Sequence, residues 1–387
     1  SEKGSFVAEI ENVSLKYGKT AALNQVSLKL PAGCMIGLIG PDGVGKSSLL
    51  ALLSGAKIVQ QGKLTVLGGD IADKHHRIQV CPYIAYMPQG LGKNLYKTLS
   101  VEENLQFVAR LFGHDAVERR KRIDELTQST GLSGFLDRPA GKLSGGMKQK
   151  LALSCALVHQ PSVLFLDEPT TGVDPVSRKE FWQILQKLRN TGMTIIVSTP
   201  YLDEVRQCGR IAFLNKGKVC GVGAPDDILN QFKDVFCPEP LSHSDEIKHS
   251  AADDVIVVDG LCKTFGTFHA VDHISFSVHR GEIFGFLGAN GAGKTTAMRM
   301  LTGLSQPSGG KATVGGYDVS TEYEQIKKHI GYMSQKFSLY EDLKVWENIR
   351  LFAGIYGMDD KEIALKTDSL LSRLGMSEHK NTIVRDL

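Results

Sequence analysis

No apolar run in the sequence approaches the ~18–20 residues needed to cross a bilayer, and no signal-like apolar core follows the N-terminus. A membrane role therefore requires a partner or a segment outside these residues. Cysteine is sparse and unpatterned: Cys34, Cys81, Cys155, Cys208, Cys220, Cys237 and Cys262 include no C-x-x-C pair. That argues against a zinc site and fits a reducing compartment. The charge excess is small as well, 45 Lys and Arg against 42 Asp and Glu, leaving +3. Such a balance supplies no field to attract nucleic acid or an anionic membrane, so partners must be read from sites. Hydrophobic residues at 42% and charged residues at 22% exclude wholesale disorder and fibrous architectures. At roughly 100–200 residues per domain, 387 residues allow two or three domains, each able to bury a core. The first residue is Ser1 rather than Met, as expected of a chain trimmed at its start.

What the sequence does contain is a repeat. Cys34–Ser48 (CMIGLIGPDGVGKSS) and Ile283–Thr296 (IFGFLGANGAGKTT) are variants of one segment, with Lys46 and Lys294 248 residues apart. KYGKTAALNQVSL from Lys16 pairs with TFGTFHAVDHISF from Thr264, and YMPQGLGKNLYKTLSVEENL from Tyr86 with YMSQKFSLYEDLKVWENI from Tyr332. Collinear matches at this spacing indicate a duplicated domain rather than a solenoid repeat of about 20–50 residues. Between the copies, Lys233–Asp254 is rich in Pro, Ser and acidic residues, the composition of a linker, with the boundary expected near residues 236–252. Glu9–Lys16 and Gln25–Leu30 predict strands, a helix is expected to open near Lys46, and Val101–Phe112 has helical periodicity. The pattern is α/β with a helical insertion.

Gly40, Gly43, Gly45, Lys46 and Ser47 fall in a G-x-x-x-x-G-K-[ST] motif after the apolar strand expected at Met35–Ile39. Gly288, Gly291, Gly293, Lys294 and Thr295 repeat it after the strand expected at Ile283–Leu287. Glycines let successive N–H groups approach phosphates, and the helix N-terminus adds its dipole. Lys46 and Lys294 are then expected to meet β and γ phosphates, and Ser47 and Thr295 to offer hydroxyls to Mg²⁺, with Ser48 and Thr296 beside them. The bland alternative, a glycine-rich turn with a solvent-facing lysine, does not account for the agreement of motif and context. Val163–Glu168 (VLFLDE) predicts a buried strand ending in two carboxylates at the phosphate edge of the sheet. Asp167 is expected to hold the metal through water and Glu168 to polarise an attacking water, since phosphoryl transfer rests on positioning and charge neutralisation. A plain buried strand with a polar turn is the alternative.

Leu143-Ser144-Gly145-Gly146-Met147, followed by Lys148-Gln149-Lys150, resembles the signature loop of the ABC-type ATPases, and the resemblance covers essentially all of the chain except the linker. It implies P-loop NTPase nucleotide-binding domains of the ABC type, each with a helical subdomain, in two tandem copies. Residues 1–235 form the first, 236–252 the linker and 253–387 a second copy cut short before its own signature and carboxylate strand. The resemblance further implies that Ser144, Gly145 and Gly146 face a γ-phosphate, that Tyr17 and Phe265 stack on adenine, that Gln89 and Gln335 link the metal to the transporter-facing subdomain, and that Gly172–Pro175 make dimer contacts. As isolated residues these would be unremarkable; collinearity with the full motif set is what singles them out. GLIGPDGVGKSSLL and RPAGKLSGGMKQKL are similar to the bacterial subgroup of fused pairs that includes the ribosome-associated ATPase and drug-exporter ATPases. ATP and Mg²⁺, head-to-tail pairing of nucleotide-binding domains, a transmembrane permease partner and a cytoplasmic location at the inner face of the cell membrane are implied with it. So is the function of an exporter motor, with a ribosome-associated ATPase and a mainly ATP-binding regulatory module left open.

Two departures bear on that function. After the strand expected at Thr194–Val197 the family pattern asks for Ser-Thr-His, whereas the sequence reads Ser198-Thr199-Pro200, a side chain with neither donor nor acceptor. Loss of one transition-state contact costs ~10²–10³ in rate, so the first site is expected to bind ATP and hydrolyse it slowly. The second copy ends at Leu387 without carboxylates of its own, so these residues are expected not to close a complete composite site, and the productive one is expected to use Lys294 with Ser144. The basic run Arg119–Arg122 reads as a solvated helix face rather than a nucleic-acid contact. His75 and His76, expected on a loop without a third ligand, read as surface residues rather than a metal site.

Overall fold

The computed structural model describes residues 6–41, 45–236, 254–288, 292–333 and 339–387. They fall into two compact units, the first carrying the residues up to Phe236 and the second most of those from Asp254 onward. The first opens with β1 (Phe6–Tyr17) and β2 (Thr20–Pro31), continues into β3 (Met35–Ile39), and reaches α1 (Lys46–Leu53) through the phosphate-loop segment. β4 (Gln61–Val66) pairs back onto β1 and β5 (Gly69–Asp70) onto β4, making an antiparallel sheet of order β2-β1-β4-β5. After α2 (Lys74–Val80) and β6 (Ile84–Met87) come the helices α3 (Val101–Leu111), α4 (Ala116–Thr130) and α5 (Gly145–Leu157). The chain then alternates through β7 (Val163–Asp167), α6 (Pro175–Asn190), β8 (Thr194–Ser198), α7 (Leu202–Val205), β9 (Arg210–Asn215) and β10 (Lys218–Gly223). The short helices α8 (Pro225–Gln231) and α9 (Lys233–Phe236) follow.

Six strands form the central sheet in the order β10-β9-β3-β8-β7-β6, parallel except for the β9–β10 pair. β3, β7 and β8 are buried along their whole lengths, which is why they read as near-continuous apolar runs: a parallel sheet is covered on both faces. One core joins Met35, Leu164 and Val197 to Val101, Ile123, Leu151 and Trp182 from the helices. The other joins Ile36, Phe165 and Ile196 to Leu50 of α1 and Ile10 of the antiparallel sheet. All β3–β8–β7 strand ends therefore deliver their polar residues to one edge, beside α1.

The second unit repeats the opening: β11 (Asp254–Phe265), β12 (Phe268–His279), α10 (Lys294–Leu301), β13 (Gly309–Val314) and β14 (Tyr317–Asp318), with sheet order β12-β11-β13-β14. α11 (Tyr323–His329), α12 (Val345–Ile355) and α13 (Asp360–Arg373) complete it. The strand expected at Ile283–Leu287 does not form; Ile283 is 99% and Leu287 92% exposed. In the first unit β3 is held between β8 and β9, and the described residues of the second unit include no counterpart of either. An apolar segment without strand partners leaves its backbone groups to water. His75 and His76 also differ from expectation, lying in α2 rather than on a loop, because Asp73 caps that helix by accepting from the His75 N–H at 3.0 Å. Residues 237–252 of the expected linker lie outside the described residues.

One buried amide closes the turn into α3. Asn104, 2% exposed, accepts from the Tyr96 N–H at 2.9 Å and donates to the carbonyls of Tyr96 (3.1 Å), Leu99 (3.2 Å) and Ser100 (2.9 Å). Asn348 repeats the arrangement with Tyr340, Leu343 and Lys344. Removing the amide leaves the Tyr96 N–H without its acceptor and takes one of two donors from each of the three carbonyls, which keep backbone N–H partners. Asn104→Ala is expected to destabilise the first unit by about 2–3 kcal/mol, read as a lower urea midpoint, whereas an exposed change such as Lys121→Ala leaves it within about 0.5 kcal/mol.

Candidate functional site

Gly45, at φ +94°, caps α1 where no side chain fits: a Cβ there would lie 2.3 Å from the Ala22 carbonyl oxygen and 2.7 Å from Leu23 Cδ2. Gly293, at φ +88°, meets the same wall in the second unit, 2.1 Å from the Ala270 oxygen. The phosphate loop is thus clamped against the β1–β2 sheet and opens into a helix N-terminus, the arrangement that receives anions. Lys46 is only 4% exposed and already partnered, its ammonium donating to the carbonyls of Gly40 and of Pro41 (3.1 Å). Ser47 is exposed and Ser48 half-buried in the first turn of α1. In the second unit Lys294 and Thr296 are half-buried and Gly288 and Thr295 exposed. Gly43, Gly291 and Gln335 lie outside the described residues.

At the end of β7 the two carboxylates are fixed by β8. Ser198, fully buried, donates its hydroxyl to Asp167 at 2.7 Å and accepts from the Glu168 N–H at 2.9 Å. Glu168 leaves the strand with φ +45°, a left-handed conformation that costs a non-glycine residue about 1–3 kcal/mol and persists only where surrounding bonds hold it. That turn aims its carboxylate at Gln89, which donates to it at 2.9 Å, with Thr171 donating to the same oxygen at 3.2 Å. Tyr17, Ser47, Ser48, Tyr86, Gln89 and Asp167 line one cleft of about 590 Å³. Burial, with Asp167 and Tyr17 nearby, pushes the Tyr86 phenol up to about 12, so it stays a proton donor there.

Ser144 caps α5 by accepting from the Met147 N–H at 3.3 Å, and Gly146 packs so closely on α6 that a Cβ would stand 2.4 Å from that of Ser177. Ser144, Gly145 and Gly146 are not among the residues lining the Tyr17–Asp167 cleft. What connects them to it is Gln149, which donates to the Pro169 carbonyl at 2.5 Å and accepts from the Gly92 N–H at 3.0 Å. Pro200 stands beside the phosphate loop, sharing a cleft of about 320 Å³ with Thr199, Gly40 and Pro41. Behind it Glu204, 1% exposed, accepts from Thr170 (2.6 Å), Thr199 and Arg178 (3.1 Å). Phe265, 56% exposed, ends β11 as Tyr17, 48% exposed, ends β1.

Ser198, Gln149 and Glu204 are the residues that sequence reasoning did not single out for roles of their own. A hydroxyl closing an all-apolar strand was the available signal for Ser198; the other two make contacts between segments distant in sequence. The basic run is engaged within the unit: Arg120 pairs with Glu102 (3.3 Å) and Asp124 (3.2 Å), and Arg122 donates to the Leu157 carbonyl at 2.8 Å, capping the C-terminus of α5.

The sequence matches the ABC transporter family twice, over residues 23–171 and 271–387. It is 35% identical over 415 residues to the probable multidrug ABC transporter ATP-binding protein YbhF of Escherichia coli (strain K12), covering 87% of this chain and 71% of that protein. Among solved structures, cbiO1 from Clostridium perfringens, part of the ABC transporter complex cbiONQ, superposes with a TM-score of 0.55 at 28% identity, over 59% of this chain and 92% of that one. The dimeric post-hydrolysis state of the ATP-binding cassette MJ0796, bound to ADP and Pi, does so with a TM-score of 0.52 at 26% identity, over 56% and 98%. With the glycine-lined loop, the paired carboxylates and the capped signature helix assembled in one unit, and the family matched over more than half its length, this chain belongs to the ABC transporter family as one of its ATP-hydrolysing ATP-binding proteins.

Proposed function

We propose that the chain is the ATP-driven motor of a multidrug-type exporter, working at the inner face of the membrane with a transmembrane permease and pairing head to tail with a further nucleotide-binding domain. The observation that carries the reading is the hydrogen-bonded row Asp167–Ser198–Glu168–Gln89, with Asp167 and Gln89 lining the same cleft as the first turn of α1. Lys46 exchanges its loop carbonyls for the β and γ phosphates, so binding replaces one set of partners with another rather than stripping a bare ammonium of water. Ser47, Asp167 and Gln89 offer a hydroxyl, a carboxylate and an amide oxygen, the hard donors that suit Mg²⁺. Bound there, Mg²⁺ supplies neutralisation of the phosphate charge. Glu168 orients the attacking water and Tyr17 stacks on the adenine. Lys294, Thr295 and Thr296 serve a second nucleotide, with Phe265 at its base. Gln89, bonded to Glu168, relays the state of the phosphates toward the helical insertion and the permease.

Lys46→Ala is expected to weaken ATP binding by about tenfold to hundredfold in titration calorimetry, the worth of a charge-assisted contact. Glu168→Gln is expected to leave ATP affinity within about twofold and to lower turnover by about 10² or more. The Pro200 side chain offers the γ-phosphate side of the cleft neither donor nor acceptor, and Pro200→His is expected to raise steady-state turnover by about tenfold or more. No gain, with ATP affinity intact, would mean that the first site does not lose its rate at this position. Stimulation of turnover by vesicles holding the permease checks the exporter reading; stimulation by ribosomes instead would replace it with a role in translation.

A further inference from the structure

Both adenine-stacking candidates carry an ammonium on the ring, and the two lysines come from positions that do not correspond in the repeat. In the first unit Lys57, from the loop after α1, sits 4.0 Å from the Tyr17 ring centroid and donates to the Tyr17 hydroxyl, which also bonds Ser48 at 3.1 Å. In the second, Lys263, two residues before Phe265 on β11, lies 5.2 Å from the Phe265 centroid and is tied to the Gln306 carbonyl at 2.5 Å. At the 248-residue offset, Lys57 corresponds to Ser305 and Lys263 to Leu15. The same contact has therefore been built twice by different residues, which a chance surface lysine does not explain. Tyr17 and Ser48 line the nucleotide cleft, and Lys57 is not among its lining residues.

We propose that Lys57 and Lys263 are positioning residues for nucleotide-base recognition: each holds its aromatic ring in place and, by drawing on the ring's electrons, makes it a better stacking surface for a purine. The proposal rests on the ATP-binding reading of the two phosphate loops. An ammonium over a ring within about 6 Å is attracted to the negative face of its quadrupole, and an electron-depleted ring stacks more strongly on an electron-rich base. The Tyr17 phenol carries the same influence. Burial works to raise its pKa, but hydrogen bonds from Lys57 and Ser48 and the Lys57 charge overcome this and leave it below the ordinary 10.0.

The test separates the base from the phosphates. In the 387-residue chain with the second loop silenced by Lys294→Ala, ATP and inorganic tripolyphosphate are titrated against Lys57, Lys57→Met and Lys57→Arg forms. Lys57→Met keeps the apolar stem and is expected to weaken ATP by about two- to fivefold, with tripolyphosphate unchanged, and Lys57→Arg to restore ATP affinity, since a guanidinium makes the same contact. An equal loss for ATP and tripolyphosphate would overturn the proposal in favour of general charge attraction, and no loss for either would overturn it outright. Absence of ATP binding by the Lys57 form would sink the nucleotide reading itself, a distinguishable failure. The phenol offers a second readout: Lys57→Met is expected to raise the Tyr17 ionisation midpoint in an ultraviolet pH titration, and an unmoved midpoint would remove the electronic part of the argument.

Discussion

Parallel pairing of β3 between β8 and β9, with β7 on the far side of β8, is the constraint from which the first site follows. A parallel strand is stable when its backbone groups are taken up on both edges and both faces are covered. Once that holds, the strand ends lie level: Asp167 and Ser198 close β7 and β8, and Gly40 follows β3. The phosphate loop, the carboxylates and the hydroxyl that ties them are neighbours because the strands are. The second unit shows what happens otherwise. Ile283–Leu287 is nearly the same apolar sentence as Met35–Ile39, yet without strand partners it stays irregular and leaves Ile283 and Leu287 exposed, while the glycine clamp at Gly293 and the helix behind it form as in the first unit. Local sequence is enough for the clamp and the helix, and tertiary pairing is needed for the strand.

That contrast also marks what could be read in advance. The strands at Met35–Ile39 and Val163–Asp167 and the helix opening at Lys46 were legible because each depends on residues adjacent in sequence: an apolar run, or a glycine followed by a helix former. The placement of His75 and His76 failed for a local reason, an aspartate cap two residues ahead of His75 that outweighed the loop-like look of a histidine pair. The failure at Ile283–Leu287 was of another kind, since nothing within those residues says whether a neighbour will be there. Gln89 on Glu168, Gln149 on Pro169 and Lys57 on Tyr17 join residues 79, 20 and 40 positions apart, and side-chain contacts of that reach leave no periodic trace.

Several polar groups in the interior of the first unit hold loops and strand ends in place. Asn104 closes the turn into α3, Gln149 ties the start of α5 to the segments after Gln89 and Glu168, and Ser198 ties two strand ends together. Buried hydrogen bonds contribute little net stability compared with apolar packing, but breaking one inside the protein is costly, so such bonds specify one geometry over its near alternatives. The apolar cores could tolerate several arrangements of the connecting loops, and these amides and hydroxyls select among them. Glu168 depends on that selection, since its left-handed backbone would relax if the bonds around it were absent.

Glu204 extends the principle to motion. Its carboxylate is shared by Thr170, on the loop after β7, and Thr199, on the loop after β8, with Arg178 of α6 as counter-ion. Sliding either loop away from the other would leave a charge in the interior short of its donors, a penalty of several kcal/mol. The two loops are in effect geared: the least costly displacement carries both at once, together with the first turn of α6 that holds Arg178.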